Sequence, residues 1–226
     1  MFSRASKYLP VLSSFIYSAY RLFDLNTRKQ QYQANKDKNS SKTYVFTWLS
    51  SHNAGQYAYE SEYNVGHMTI QFDDQYVSLW PSAKNKSTTS YLLQLLTSDA
   101  KLCSLADDIK AEKKKPDSIM VIHGLDHANM HTALEELCQQ VEDGTVKFQT
   151  INNLPLQNSN DNHRMHCATA VNKILVAGNF PVERRYIAPW STTPALQHTF
   201  YSWIGGEEIE KEEITMLVKK LQTPTL

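Results

Sequence analysis

Two apolar strings of opposite periodicity limit what this chain can fold into. Asn64-Val65-Gly66-His67-Met68-Thr69-Ile70-Gln71-Phe72 alternates with period two, which is the signature of a strand. Val65, His67, Thr69 and Gln71 share one face, and Gly66, Met68, Ile70 and Phe72 share the other. Gly66 removes a side chain beside the histidine and permits close backbone approach. His166-Cys167-Ala168-Thr169-Ala170-Val171 instead opens a run with helical spacing, placing Cys167 on a face with Val171, Ile174 and Leu175. Gly178 follows as its stop. The fold must therefore pack a histidine-bearing strand and a helix that begins at a cysteine.

The rest of the chain supplies further strands and helices in mixed order. Thr43 to Leu49 is β-branched and aromatic and reads as a strand. Val65 to Phe72 and Tyr76 to Trp80 flank Asp73-Asp74-Gln75 as a hairpin. Tyr91 to Leu96 reads as the opening of a helix, and Lys110 to Lys115 as a charged connector before Pro116. Ser118 to Ile122 is a strand, Asp126 caps a helix running to about Val141, and Gly144 ends it. Val146 to Ile151 is a strand, Asn152 to Asn162 a polar loop, and Glu207 to Leu221 a charged helix. This order predicts an α+β domain with a mostly antiparallel sheet packed against the cysteine-bearing helix. The expected organisation is an N-terminal helical segment and linker over 1–42, a core domain over 43–203, and a charged C-terminal helix and tail over 204–226.

Composition narrows the chemistry. The formal charge of +0 provides no electrostatic attraction toward nucleic acid, and no partner of that class is expected. Seven glycines and the lack of any GxGxxG or Walker pattern argue against a phosphate-cradling loop. The cysteines Cys103, Cys138 and Cys167 are odd in number and lack CxxC spacing, which argues against a disulfide framework or a cysteine zinc site and fits a reducing compartment. Cys103 and Cys138 read as packing residues. The apolar run within Met1 to Leu25 is too short to span a bilayer; it reads as an amphipathic helix packed on the domain, with membrane-surface contact as the alternative.

Cys167 differs from the other two by position. A thiol at a helix N-terminus feels the positive end of the macrodipole, which favours the thiolate. A strand-borne His67 placed against it supplies a general base. The polar loop from Leu154 to Met165 and the Cys167 amide are candidate oxyanion donors, and His163 and His166 flank the thiol. The plain alternative is a small core cysteine and a satisfied strand histidine.

The strings Val65-Gly66-His67-Met68-Thr69-Ile70 and His166-Cys167-Ala168-Thr169-Ala170-Val171, in that order, resemble the permuted papain-like hydrolases, relatives of NlpC/P60 peptidases and lecithin:retinol-acyltransferase-like enzymes. The resemblance covers about Tyr44 to Gly178. It implies a papain-like α+β fold, a thiol nucleophile, a histidine base and a polar third residue on the strand after the histidine. If Asp73-Asp74 is a two-residue turn, residue 67 faces Trp80 and Ser78 lies diagonally on the same face. Ser78 is then the third candidate, a departure from the usual His, Asn or acidic residue; Trp80 and Pro81 are candidates for the cleft wall. The implied activity is a cysteine hydrolase or acyltransferase acting on a peptide, amide, thioester or lipid ester, with no cofactor and no metal. A non-catalytic interaction module on the same fold is the alternative.

His127 and His131 stand at a metal-capable i,i+4 spacing near His123, but no HExxH pattern accompanies them, and a solvated helix start is the favoured reading. The block Glu207-Glu208-Ile209-Glu210-Lys211-Glu212-Glu213 reads as a solvated helix face. It also resembles the glutamate-rich export signals of Dot/Icm-type type IV effectors. That resemblance implies a secreted bacterial effector acting on a host protein in the host cytosol; without it the expected location is cytoplasmic.

Overall fold

A computed structural model of the chain describes residues 23, 25–34, 36, 40–49, 66–82, 98–149, 164–181, 201–202 and 204–222. The expected helix opening at Tyr91 to Leu96, the loop over Asn152 to Asn162 with His163, and the N-terminal apolar run through residue 22 lie outside the described residues.

The centre of the fold is an antiparallel sheet built on β1 (Lys42–Trp48), which pairs with β2 (His67–Phe72) on one side and β6 (Ser118–His123) on the other. β3 (Gln75–Val77) and β9 (Glu207–Glu208) complete the order β3-β2-β1-β6-β9. The β2–β3 hairpin has the expected register, Phe72 opposite Gln75 and Ile70 opposite Val77. Its turn residue Asp73 takes φ 48°, a left-handed conformation that aspartate tolerates better than most residues. The chain then leaves this sheet at Ser78. β4 (Leu79–Pro81) joins β5 (Ser98–Leu102), β7 (Lys147–Phe148) and β8 (Arg164–Met165) in a second sheet, antiparallel except for β7–β8.

Both faces of the central sheet are covered, which explains why every residue of β2 is buried. On one face Val45, Met68, Ile70, Met120 and Ile122 pack with α2 (His127–Glu142) and α3 (Cys167–Ala177). α2 starts at the expected cap, Asp126 accepting from the Asn129 amide at 3.1 Å. On the other face Phe46, Trp48 and Ile119 pack with Leu105 and Ile109 of α1 (Leu105–Glu112) and with Ile214 and Val218 of α4 (Lys211–Gln222).

Several local expectations need correction. Lys110 to Glu112 is the last turn of α1 rather than a connector. β5 was not read as a strand, and β7 is shorter than the Val146 to Ile151 expectation. Within the helical segment and linker expected over 1–42, residues 25–34 are helical, and Tyr32 is buried in the larger core with its hydroxyl donating to the His123 carbonyl at 2.8 Å. Glu207 to Leu221 is not one helix. Glu207 and Glu208 pair with the open edge of β6, and α4 starts only at Lys211. Among the described residues no helix is long and apolar enough to cross a membrane.

Because α4 completes the second core, Ile214→Ala should cost about 2–4 kcal/mol in urea unfolding. Met216→Ala on its exposed face should stay within about 0.5 kcal/mol.

Candidate active site

His67 is the first residue of β2, paired with Trp48 of β1. Gly66 before it takes φ 83°, so the glycine serves a backbone conformation that a side chain would resist. The His67 ring lies against two indoles, Trp80 at a centroid distance of 4.3 Å and Trp48 at 5.6 Å. Both walls favour a positive charge on the ring.

The organising group is Asp108 on α1, which has 0% exposure. Its Oδ1 accepts from Ser78 Oγ at 2.8 Å and from Trp80 Nε1 at 2.6 Å. Its Oδ2 accepts from the Tyr76 hydroxyl at 2.6 Å and lies 3.5 Å from His67 Nε2. Ser78 Oγ is also 3.0 Å from His67 Nε2. Its single hydrogen is committed to Asp108, so His67 Nε2–H must donate to Ser78. The histidine tautomer follows, and Nδ1 is left as the basic nitrogen for the thiol. By the same count Thr69 Oγ1 donates to Tyr76, 2.8 Å away.

α1 presents Asp108 because Leu105, Asp108, Ile109 and Glu112 form one stripe at helical spacing. The helix starts with a capping box: Ser104 Oγ accepts from the Asp107 amide at 3.2 Å, and Asp107 Oδ2 accepts from the Ser104 amide at 3.1 Å.

Cys167 is the first residue of α3 and keeps partial exposure. Thr169 Oγ1 bridges the His166 amide at 2.7 Å and the His166 carbonyl at 2.8 Å, closing the first turn. α3 packs on the Met68 face of the sheet, yet its first residue lies in the electrostatic neighbourhood of His67 at the strand's end. Burial alone would push the Cys167 thiol up. Hydrogen bonds with His166 and His67, and then their positive charges, outweigh it and hold the thiol well below its ordinary range. For His67, burial opposes protonation, but hydrogen bonds with Asp108 and Cys167 and their negative charges raise the ring well above an ordinary histidine. The pair is arranged as thiolate and imidazolium. In contrast, burial raises the thiols of Cys103 and Cys138.

The structure thus brings His67, Cys167 and Ser78 together with the expected neighbours Trp80 and His166, and adds Asp108 and Tyr76. Ser78 relays between His67 and Asp108 rather than carrying the orienting charge itself. The sequence reading missed Asp108 although Ser104-Leu105-Ala106-Asp107 is a capping-box signal for the helix that bears it.

Three further histidines among the described residues make structural contacts. His127 Nδ1 and His131 Nε2 bond the two oxygens of Asp73 at 2.8 and 3.0 Å, tying α2 to the hairpin turn. His123 lies 3.7 Å from Glu207. No cluster of three metal-capable side chains occurs among the described residues.

No protein-family model, curated protein or solved structure matches this chain.

Asp108→Asn keeps one oxygen to accept from Ser78 and Trp80, turns an amide N–H toward Tyr76, and removes the charge that holds the proton on His67. The imidazolium weakens, and the thiolate loses its counter-ion. The pH profile of Cys167 alkylation by iodoacetamide should therefore shift upward by about one unit. The Cys167 thiol is lowered to about 5, so the loss of rate should approach tenfold only below about pH 5 and should fade above about pH 7, where both forms are ionised.

Proposed function

We propose that this chain is a permuted papain-like cysteine hydrolase or acyltransferase. The observation that carries the reading is the chain of hydrogen bonds from Asp108 through Ser78 to His67 Nε2, which leaves Nδ1 as the ring nitrogen available to the Cys167 thiol. A nucleophile, a base and a group that orients the base are the working parts of covalent catalysis. The order of the histidine strand and the cysteine helix agrees with the permuted members of that group.

In this mechanism the Cys167 thiolate attacks the carbonyl carbon of an amide, ester or thioester. The oxyanion forms at the start of α3, where the first amides have no intrahelical acceptor. His67 then delivers its proton from Nδ1 to the leaving group. Water yields hydrolysis, and an amine or alcohol yields acyl transfer. The rival reading, a binding module without chemistry, gives no reason for burying a carboxylate under three donors beside a raised histidine.

The setting proposed with this activity is export through a type IV system to act on a host protein. Glu207, Glu208, Glu210, Glu212 and Glu213 are all exposed, while Ile214 and Val218 between and beyond them are buried. A receptor could thus read the acidic face of the folded protein. Replacing these glutamates by glutamine should abolish translocation in a reporter assay and leave the thermal melt within about 5 °C. Unchanged translocation would remove the effector setting.

For the chemistry, incubation with a panel of activated esters, thioesters and peptide amides should yield an acyl adduct on Cys167 by mass spectrometry. Cys167→Ala should abolish the adduct, and His67→Ala should slow its formation about 10³-fold or more. Ser78→Ala should cost roughly tenfold, because Asp108 can still reach His67 directly. A panel that leaves Cys167 unmodified would favour the binding module.

A further inference from the structure

One carboxyl beside the proposed site has no role in that scheme. Glu112 follows Asp108 by one turn on the inward stripe of α1. Glu112 is half-buried, and its Oε1, closed off from bulk solvent, has no hydrogen-bond partner among the described residues. The nearby cation does not serve it: Lys114 Nζ donates to Asp117 Oδ2 at 2.7 Å and to the Leu49 carbonyl at 3.2 Å. The contrast with Asp108, saturated by Tyr76, Ser78 and Trp80, is direct. A buried acceptor without a donor is costly unless something else supplies one.

The field at Glu112 shows where that donor would come from. The charges acting on it are those of His67, Lys114, Cys167 and Asp108, so it belongs to the Cys167–His67 neighbourhood. Burial is the largest influence and pushes its carboxyl up to about 7, so Glu112 ionises across the neutral range. Thiolate and imidazolium cancel each other, and Asp108 and Glu112 then leave this corner net negative. A neutral or anionic substrate would leave Glu112 unpaired, whereas a cation would complete it.

We propose that Glu112 is a specificity residue of the Cys167 site, accepting a hydrogen bond from an ammonium or guanidinium group on the substrate. The proposal rests on the cysteine-hydrolase reading and names its substrate class: acyl compounds, amides among them, that carry a positive charge close to the scissile carbonyl.

The test uses two methanethiosulfonates with the same reacting group, one neutral (methyl) and one cationic (2-aminoethyl, a primary ammonium with N–H donors). In each, the Cys167 thiolate attacks the sulfenyl sulfur, a disulfide forms and methanesulfinate leaves. The rate at Cys167 is followed by mass spectrometry on the full chain. The cationic-to-neutral rate ratio is then divided by the same ratio for free cysteine. For the unmodified protein near about pH 8 this quotient should be about tenfold, falling toward one near about pH 5.5 as Glu112 protonates. In Glu112→Gln it should lie well below the unmodified value near about pH 8 and be flat with pH. A quotient near one in the unmodified protein, or one unchanged by Glu112→Gln, would overturn the proposal. The pH series needs no variant, so it decides the matter even if Glu112→Gln folds poorly. Slow labelling of Cys167 by both reagents, no faster than Cys103 and Cys138, is a different failure. It removes the cysteine-hydrolase reading itself and this inference with it.

Discussion

The buried carboxylate of Asp108 is the interaction on which the site depends. It has 0% exposure and would be untenable there without donors. Tyr76 from β3, Ser78 from the link between the sheets, and Trp80 from β4 each donate to it. One charge therefore joins a helix, the end of one sheet and the start of another. Removing any one donor would leave a half-satisfied network, which is worse than an apolar core of the same volume. The histidine tautomer is a by-product of this arrangement, since Ser78 has only one hydrogen to give.

The break at Ser78 follows from the same geometry. Had β3 continued along β2, Trp80 would have been an ordinary cross-strand neighbour of His67. Instead the chain turns into the second sheet, where Trp80 pairs with Lys101. Its ring still covers His67, and its Nε1–H reaches Asp108. The two sheets meet at the residues that hold the imidazole.

Much of this was legible from residues alone. Elements with strong periodicity and clear stops, such as β2, α2 with its Asp126 cap and α3 ending at Gly178, lie close to where the pattern places them. The Cys167–His67 pairing and a polar third residue were what the resemblance to permuted papain-like hydrolases implies, and the proximity of Ser78 followed from the turn length. Asp108 was hidden because α1 is short and charged. Asp108 and Glu112 occupy slots of its inward stripe that would be apolar in an ordinary amphipathic helix, so no apolar period marks α1 and Lys110 to Lys115 reads as a charged connector. Likewise β9 pairs through its backbone along β6, and an edge pairing of two glutamates leaves no side-chain signature.

The second core has a consequence for when the protein becomes competent. Leu105 and Ile109, which seat the Asp108 helix, share that core with Ile214 and Val218 near the far end of the sequence. A chain cut behind Gly206 keeps Cys167 and His67 but loses the apolar surface that holds the carboxylate's helix against the sheet. The proposed chemistry is thus coupled to the docking of α4, and clipping behind Gly206 would leave the thiol and the imidazole without a seated Asp108.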